Sequence, residues 1–189
     1  MGIEQSAAWY DAQFAASDTY RGPADVSPFR HIWAAVADRI VVLQPAAVID
    51  LGCGPGQMAE ALAARVEFIG RYQGFDFSRV AIRAARARGL PDRFTFHVRD
   101  LQMDAVPVAR PAAYVACEFL EHVACDLGVL AQIPTGAPVL LTVPERDDAG
   151  HVRHFADAGQ VADRYGRLLA DLTVEPLQSR HFGAWGVRR

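Results

Sequence analysis

Between residues 47 and 143 short apolar runs alternate with segments of helical spacing, and this alternation limits the possible folds more than any other feature of the chain. Ala47-Val-Ile-Asp-Leu51 reads as a buried strand, and Gln57 to Val66 follows with helical periodicity. Further strands are expected at Tyr72 to Phe77, Phe94 to Val98, Ala112 to Cys117 and Val139 to Val143, with helices at Arg79 to Arg88 and Asp126 to Gln132. Repeated strand–helix–strand units impose parallel pairing with helices over both faces, because a parallel crossover takes about a dozen residues. After a helix near Ala156 to Leu169, the pieces Leu172 to Leu177 and His181 to Val187 are joined by a short turn and must pair antiparallel.

At 189 residues and 51% hydrophobic composition the chain can bury a core without staples, so residues 1–189 are expected to form one domain. Residues 1–43 carry helical runs from Gln5 to Ala16 and from Phe29 to Val42 and read as a helical cap on a core of residues 44–189. Trp9, Tyr10, Phe14, Tyr20, Arg21, Phe29, Arg30 and Trp33 are dense enough there to serve as a lid, with Tyr20 or Arg30 reaching a ligand, or to pack as core. The net charge of −3 argues against a basic coat for nucleic acid, and Arg79, Arg83 and Arg86 read as one solvated helix face. Cys53, Cys117 and Cys125 have no paired spacing, which fits a reducing compartment. No signal peptide and no run of about 20 apolar residues is visible, so the expected location is cytoplasmic.

In an open parallel sheet the ligand crevice lies beyond the carboxyl ends of the strands, where strand order reverses. The first four strands end in Asp50, Asp76, Asp100 and Glu118. Gathered carboxylates repel and lose hydration, which suits a guest that brings positive charge and many donors, as a cationic nucleoside does. Gly52, Gly54 and Gly56 let the backbone approach such a guest just before a helix. Gln57 stands where a dinucleotide fingerprint needs a small residue, and this argues against a nicotinamide oxidoreductase.

Val48-Ile-Asp-Leu-Gly-Cys-Gly-Pro-Gly56, Tyr72-Gln-Gly-Phe-Asp-Phe-Ser78, Asp100-Leu101 and Glu118-Phe-Leu-Glu-His-Val123 together resemble the class I S-adenosylmethionine-dependent methyltransferases. The resemblance covers residues 30 to 189. It implies an α/β, Rossmann-like sheet of seven strands, mostly parallel, with the last antiparallel and inserted. It also implies S-adenosyl-L-methionine as the cofactor. Asp50, Gly52, Cys53, Gly54 and Gly56 would pass beneath its methionine part, Asp76 would hold the ribose hydroxyls, Phe77 would flank the adenine, Asp100 and Leu101 would meet its amine, and Glu118 would line the pocket.

Glu118, Glu121 and His122 can share one face of a helical turn, and His151 and His154 follow in a later loop. This set resembles the members of the family that include ubiquinone-biosynthesis O-methyltransferases and small-RNA 2′-O-methyltransferases. There such residues bind a divalent metal such as magnesium beside the acceptor oxygen. By that resemblance the ligands are Glu118, Glu121, His122 and either His151 or His154, with His151 preferred. Without a metal, His122 becomes the general base. His31, His97 and His181 read as structural or surface residues. The partner expected is a small hydroxylated methyl acceptor. An RNA 2′-O-methyltransferase and a non-catalytic cofactor-binding module are the competing readings.

Overall fold

β1 (Ala47–Leu51) is buried along its whole length, which is why its sequence is apolar but for Asp50 instead of alternating. Ala47, Ile49 and Leu51 enter the core on one face of the sheet, and Val48 enters the core on the other. The structure is a computed structural model that describes residues 2–67, 69–178 and 180–189. β2 (Arg71–Asp76), β3 (Phe94–Val98), β4 (Ala113–Cys117) and β5 (Pro138–Pro144) run parallel to β1. β7 (His181–Arg188) is inserted antiparallel between β5 and β6 (Leu169–Leu177), giving the order β3-β2-β1-β4-β5-β7-β6. This is the expected α/β sheet of seven strands, and its order reverses between β1 and β4.

Two helical layers cover the sheet. α3 (Arg30–Leu43), α4 (Gln57–Ala63) and α5 (Arg79–Arg86) pack one face through Trp33, Ile40, Met58, Leu62 and Ile82. α6 (Asp126–Ala131) and α7 (Ala158–Tyr165) pack the other through Val129, Leu130, Val161 and Tyr165. Local chemistry sets the helix starts: Ser78 Oγ accepts from Ala81 N at 3.0 Å at the head of α5, and Asp157 Oδ1 from Gln160 N at 2.9 Å at the head of α7.

The leading segment divides differently from the sequence reading. α3 belongs to the layer on the sheet, whereas α1 (Ala7–Ala16) and α2 (Asp18–Arg21) bury no residue and border the cavity described below. α7 stops at Tyr165 instead of running to Leu169, because Gly166 takes the cap and the chain turns. β6 therefore starts at Leu169, with an irregularity between Ala170 and Thr173 where Asp171 takes a φ of +51°. No helix among the described residues is long and apolar enough to cross a membrane.

Candidate active site

After β1 the chain passes through a glycine loop held from below. Gly52 N and Cys53 N both donate to the Phe75 carbonyl, at 2.8 and 3.0 Å. Asp76 accepts from Gly54 N through Oδ2 at 3.0 Å and from Ser78 N through Oδ1 at 2.8 Å, so it ties the loop to the head of α5. Gly52 has φ +74°, and a Cβ there would fall 2.3 Å from the Phe119 ring, so both backbone shape and a close approach require glycine. Gln57, which argued against a dinucleotide site, donates from Nε2 to the carbonyls of Thr19 and Gly22 at 2.9 Å each. Arg88 donates to the carbonyls of Pro55, Tyr20 and Gly22 and pairs with Glu60, so the leading segment is latched to the glycine loop.

One cavity of about 710 Å³ lies beyond the carboxyl ends of the strands, large enough for a cofactor-sized guest. Asp50, Gly52, Cys53, Gly54, Asp76, Phe77, Asp100, Leu101, Glu118, Glu121, His122 and His151 all line it. Gly56 does not reach the wall; it caps α4. Arg30 is exposed, is not on the wall, and donates to the Ser27 carbonyl, whereas Tyr20 does line the cavity. His154 lies at the surface 3.9 Å from Asp147.

Burial governs the electrostatics. It pushes the Asp50 carboxyl up to about 7, against the hydrogen bond that Tyr72 donates to it, and the Asp76 charge adds to the rise. Asp76 rises to about 6 for the same reason, opposed by the two backbone donors. Two buried carboxyls at one rim suit a positively charged guest.

The second constellation departs from the sequence expectation. Glu118 takes a φ of +52° and stands outside the single 3₁₀ turn, Leu120–His122, so it does not share a helical face with Glu121 and His122. Its carboxylate turns toward β5 and β7, where Thr142 Oγ1 donates to Oε1 at 2.8 Å and His181 Nε2 lies 3.0 Å from Oε2. His181, read from the sequence as structural or surface, thus lines the cavity beside Glu118.

Glu121, His122 and His151 do come together, with one ligand atom from each lying within 4.8 Å of the others. Glu121 is fully buried, and among the described residues neither of its oxygens has a hydrogen-bond partner. Burial pushes its carboxyl well above the usual range, and the nearby Glu118 charge adds to this. His122 Nδ1 lies 3.0 Å from the Gly150 carbonyl, which can only accept, so the ring proton is on Nδ1 and Nε2 carries a lone pair. That lone pair lies 3.7 Å from Glu121 Oε1, and burial holds His122 down at about 4, hence neutral. The Nε2 lone pair therefore faces a carboxyl that has no hydrogen-bond partner among the described residues. Among the described residues the buried Nδ1 of His151 also has no hydrogen-bond partner. A carboxyl that gives up its proton on binding and two imidazoles make a donor set that fits a divalent cation.

The segment before α3 crosses both halves. Glu4 Oε2 accepts from Ala124 N at 3.0 Å, and Asp11 Oδ1 accepts from Ser78 Oγ at 2.5 Å and Val80 N at 3.2 Å. Between these ties the Tyr10 ring meets Phe77 and His122, with centroids at 5.4 and 5.6 Å. The sequence marked the aromatic density of this segment but not Glu4 or Asp11, whose partners lie 67 to 120 residues away.

A family profile described as Methyltransferase domain matches residues 48–133, from β1 to just past α6, and so spans the glycine loop, Asp76, Asp100 and the Glu118 to His122 turn. This match, with the relatives that follow, supports a class I S-adenosylmethionine-dependent methyltransferase. This methyltransferase is 29% identical over 122 residues to a ubiquinone biosynthesis O-methyltransferase of Paracidovorax citrulli (strain AAC00-1), covering 61% of the chain and 46% of that protein. It is 27% identical over 184 residues to a ubiquinone biosynthesis O-methyltransferase of Stutzerimonas stutzeri (strain A1501), covering 94% and 75%. The chain thus spans less than half of the first relative and three quarters of the second. Among solved structures, a DhpI–SAM–HEP complex has the same fold, with a TM-score of 0.70 at 18% identity over 94% of both chains.

Proposed function

We propose that this methyltransferase moves the methyl group of S-adenosylmethionine to an oxygen of a small hydroxylated acceptor, with a divalent cation such as magnesium held by Glu121, His122 and His151. The observation that carries the reading is the single cavity that joins the glycine loop and Asp76 to this Glu–His–His cluster. Bound there, a divalent cation would lower the pKa of a hydroxyl and orient its oxygen.

The chain's own residues do the rest. Each Asp76 oxygen holds one backbone donor and keeps a lone pair for a ribose hydroxyl. Asp100 and Leu101 take the adenine edge, Phe77 flanks the ring, and the loop at Gly52, Cys53 and Gly54 lies under the methionine part. Glu118, fixed by Thr142 and His181, closes the cofactor half. His122 serves as a ligand and not as a base, because a group held near 4 is a weak acceptor for a hydroxyl proton. The Tyr10 wall excludes water, so positioning supplies much of the rate. Support for oxygen as the acceptor comes from the two curated relatives, both named O-methyltransferases.

Calorimetric titration with S-adenosylhomocysteine tests the cofactor half. Asp76→Ala should weaken binding by more than about 100-fold, since it removes charged acceptors worth about 1.5–3 kcal/mol each. Affinity within threefold of the parent would sink the ribose role. For the other half, Glu121→Gln should abolish Mn²⁺ binding while leaving S-adenosylhomocysteine affinity intact, and retention of Mn²⁺ by that variant would exclude the cluster as the cation site.

A further inference from the structure

The two loops that carry Glu121, His122 and His151 are braced by one side chain that the sequence did not single out. Arg153 Nη1 donates to the carbonyls of Leu120 and, at 2.6 Å, of Val123, and its Nη2 donates to that of Ala124 at 3.1 Å. The backbone N–H groups of Val152 and Arg153 both donate to the Glu121 carbonyl, at 2.8 and 3.3 Å. His122 returns a bond in the opposite direction, from Nδ1 to the Gly150 carbonyl. The guanidinium therefore grips the turn that presents Glu121 and His122, while its own backbone lies two residues after His151.

Arg153 is itself anchored from below. Its side chain is only 14% exposed and sits 3.4 Å from Asp126 Oδ2 at the head of α6. Asp126 is 1% exposed and receives two bonds of 2.7 Å from Arg164 and one of 3.2 Å from the Tyr165 hydroxyl, both on α7. The planar fork of an arginine can address three carbonyls at once, which the point charge of a lysine cannot do. Carbonyl acceptors bonded to a charged donor are held more firmly than those bonded to a neutral one. A turn whose carbonyls are pinned on both sides of His122 leaves little freedom in where Glu121 and His122 stand relative to His151.

We propose that Arg153 is a positioning residue for the cation site: by clamping the 120–124 turn onto the 150–153 loop it fixes the spacing of Glu121, His122 and His151, and so sets their affinity for a divalent cation. This rests on the cation reading given above, and Arg153 itself touches neither cation nor acceptor. Groups that orient metal ligands from behind commonly change affinity by about 10–100-fold when removed.

The test is Mn²⁺ binding by electron paramagnetic resonance, with S-adenosylhomocysteine affinity measured calorimetrically on the same samples. Arg153→Met should bind Mn²⁺ about 10–100-fold more weakly than the parent, with S-adenosylhomocysteine affinity within twofold. Arg153→Lys should recover part of the loss. Asp126→Asn, which loosens the anchor but leaves the guanidinium, should lose about 3–10-fold. Parental Mn²⁺ affinity in folded Arg153→Met overturns the inference, and so does an equal loss of both ligands, which would mark a general structural role. Should Arg153→Met fail to fold, parental Mn²⁺ affinity in both Arg153→Lys and Asp126→Asn overturns it. Absence of Mn²⁺ binding by the parent protein removes the cation reading itself and this inference with it, an outcome distinct from binding that persists in the variants.

Discussion

Gly56→Ala is expected to lower the melting temperature by about 5–15 °C and to weaken S-adenosylhomocysteine binding at least tenfold. Gly56 has φ +79° at the cap of α4, and a Cβ there would lie 2.9 Å from Ala85 Cβ and 3.2 Å from Ala85 Cα. The obstacle is a helix backbone and its first side-chain atom, with no flexible end to move aside. Left-handed backbone costs a non-glycine residue about 1–2 kcal/mol, and overpacking adds about 1–3. For a chain of this size each kcal/mol moves the midpoint by about 2–4 °C. Relief requires the loop to lift from α5, which pulls Gly54 N away from Asp76 and so deforms the cofactor half. Gly89→Ala separates the two costs: Gly89 has φ +66° with nothing within 4 Å of the added Cβ, so only the backbone cost applies. Equal thermal shifts in the two variants would show that the α5 contact is not tight.

The acids were legible in the sequence because they lie at or just past the carboxyl ends of short strands, and a parallel sheet puts those ends on one rim. β1 falls where the apolar run placed it, and Asp50, Asp76, Asp100 and Glu118 all reach the cavity. What could not be read depends on single backbone states and on distant partners. Glu118 in a left-handed conformation breaks the helical turn that would have joined it to Glu121, and its partner His181 lies 63 positions further along. A window of spacing arguments has no access to either. Arg86 and Arg88 illustrate the same limit: the first, read as part of a solvated helix face, donates to the Phe96 carbonyl, and the second, read only as the end of a helix, ties the glycine loop to residues 20–22. One local signal was available and missed. Gly166 directly after Tyr165 marks the end of α7, and it would have moved the start of β6 forward to Leu169.

Asp50→Asn should stabilise the ligand-free protein progressively as pH rises, its advantage over the parent growing by about 3 kcal/mol between pH 5 and pH 7. Asp50 is 1% exposed, and its folded value of about 7 lies above the ~3.9 of an open chain. Between those values the folded chain keeps a proton that the unfolded chain has released, so stability falls as pH climbs, by about 1.4 kcal/mol per pH unit. Asp76, raised to about 6, acts in the same direction over a shorter window, and Glu121, also raised, reinforces it. His122 opposes them: held near 4, it stays neutral while an open-chain imidazole is charged up to about 6.5, so its contribution rises with pH below that point. The difference between Asp50→Asn and the parent cancels the groups that do not interact with Asp50 and leaves Asp50 with its coupling to Asp76. Thermal unfolding of both proteins across pH 5 to 8 should therefore show a gap that widens by about 5–10 °C and levels off above pH 7. A constant gap would mean that Asp50 ionises as an exposed aspartate does. Its Oδ1 has no hydrogen-bond partner among the described residues, so the ionised form has little but Tyr72 to stabilise it. A cationic sulfonium in the cavity would supply what the protein withholds. Saturating S-adenosylmethionine should accordingly narrow the gap at pH 8 more than S-adenosylhomocysteine does, because only the first carries a sulfonium charge that an ionised Asp50 can answer and an asparagine cannot.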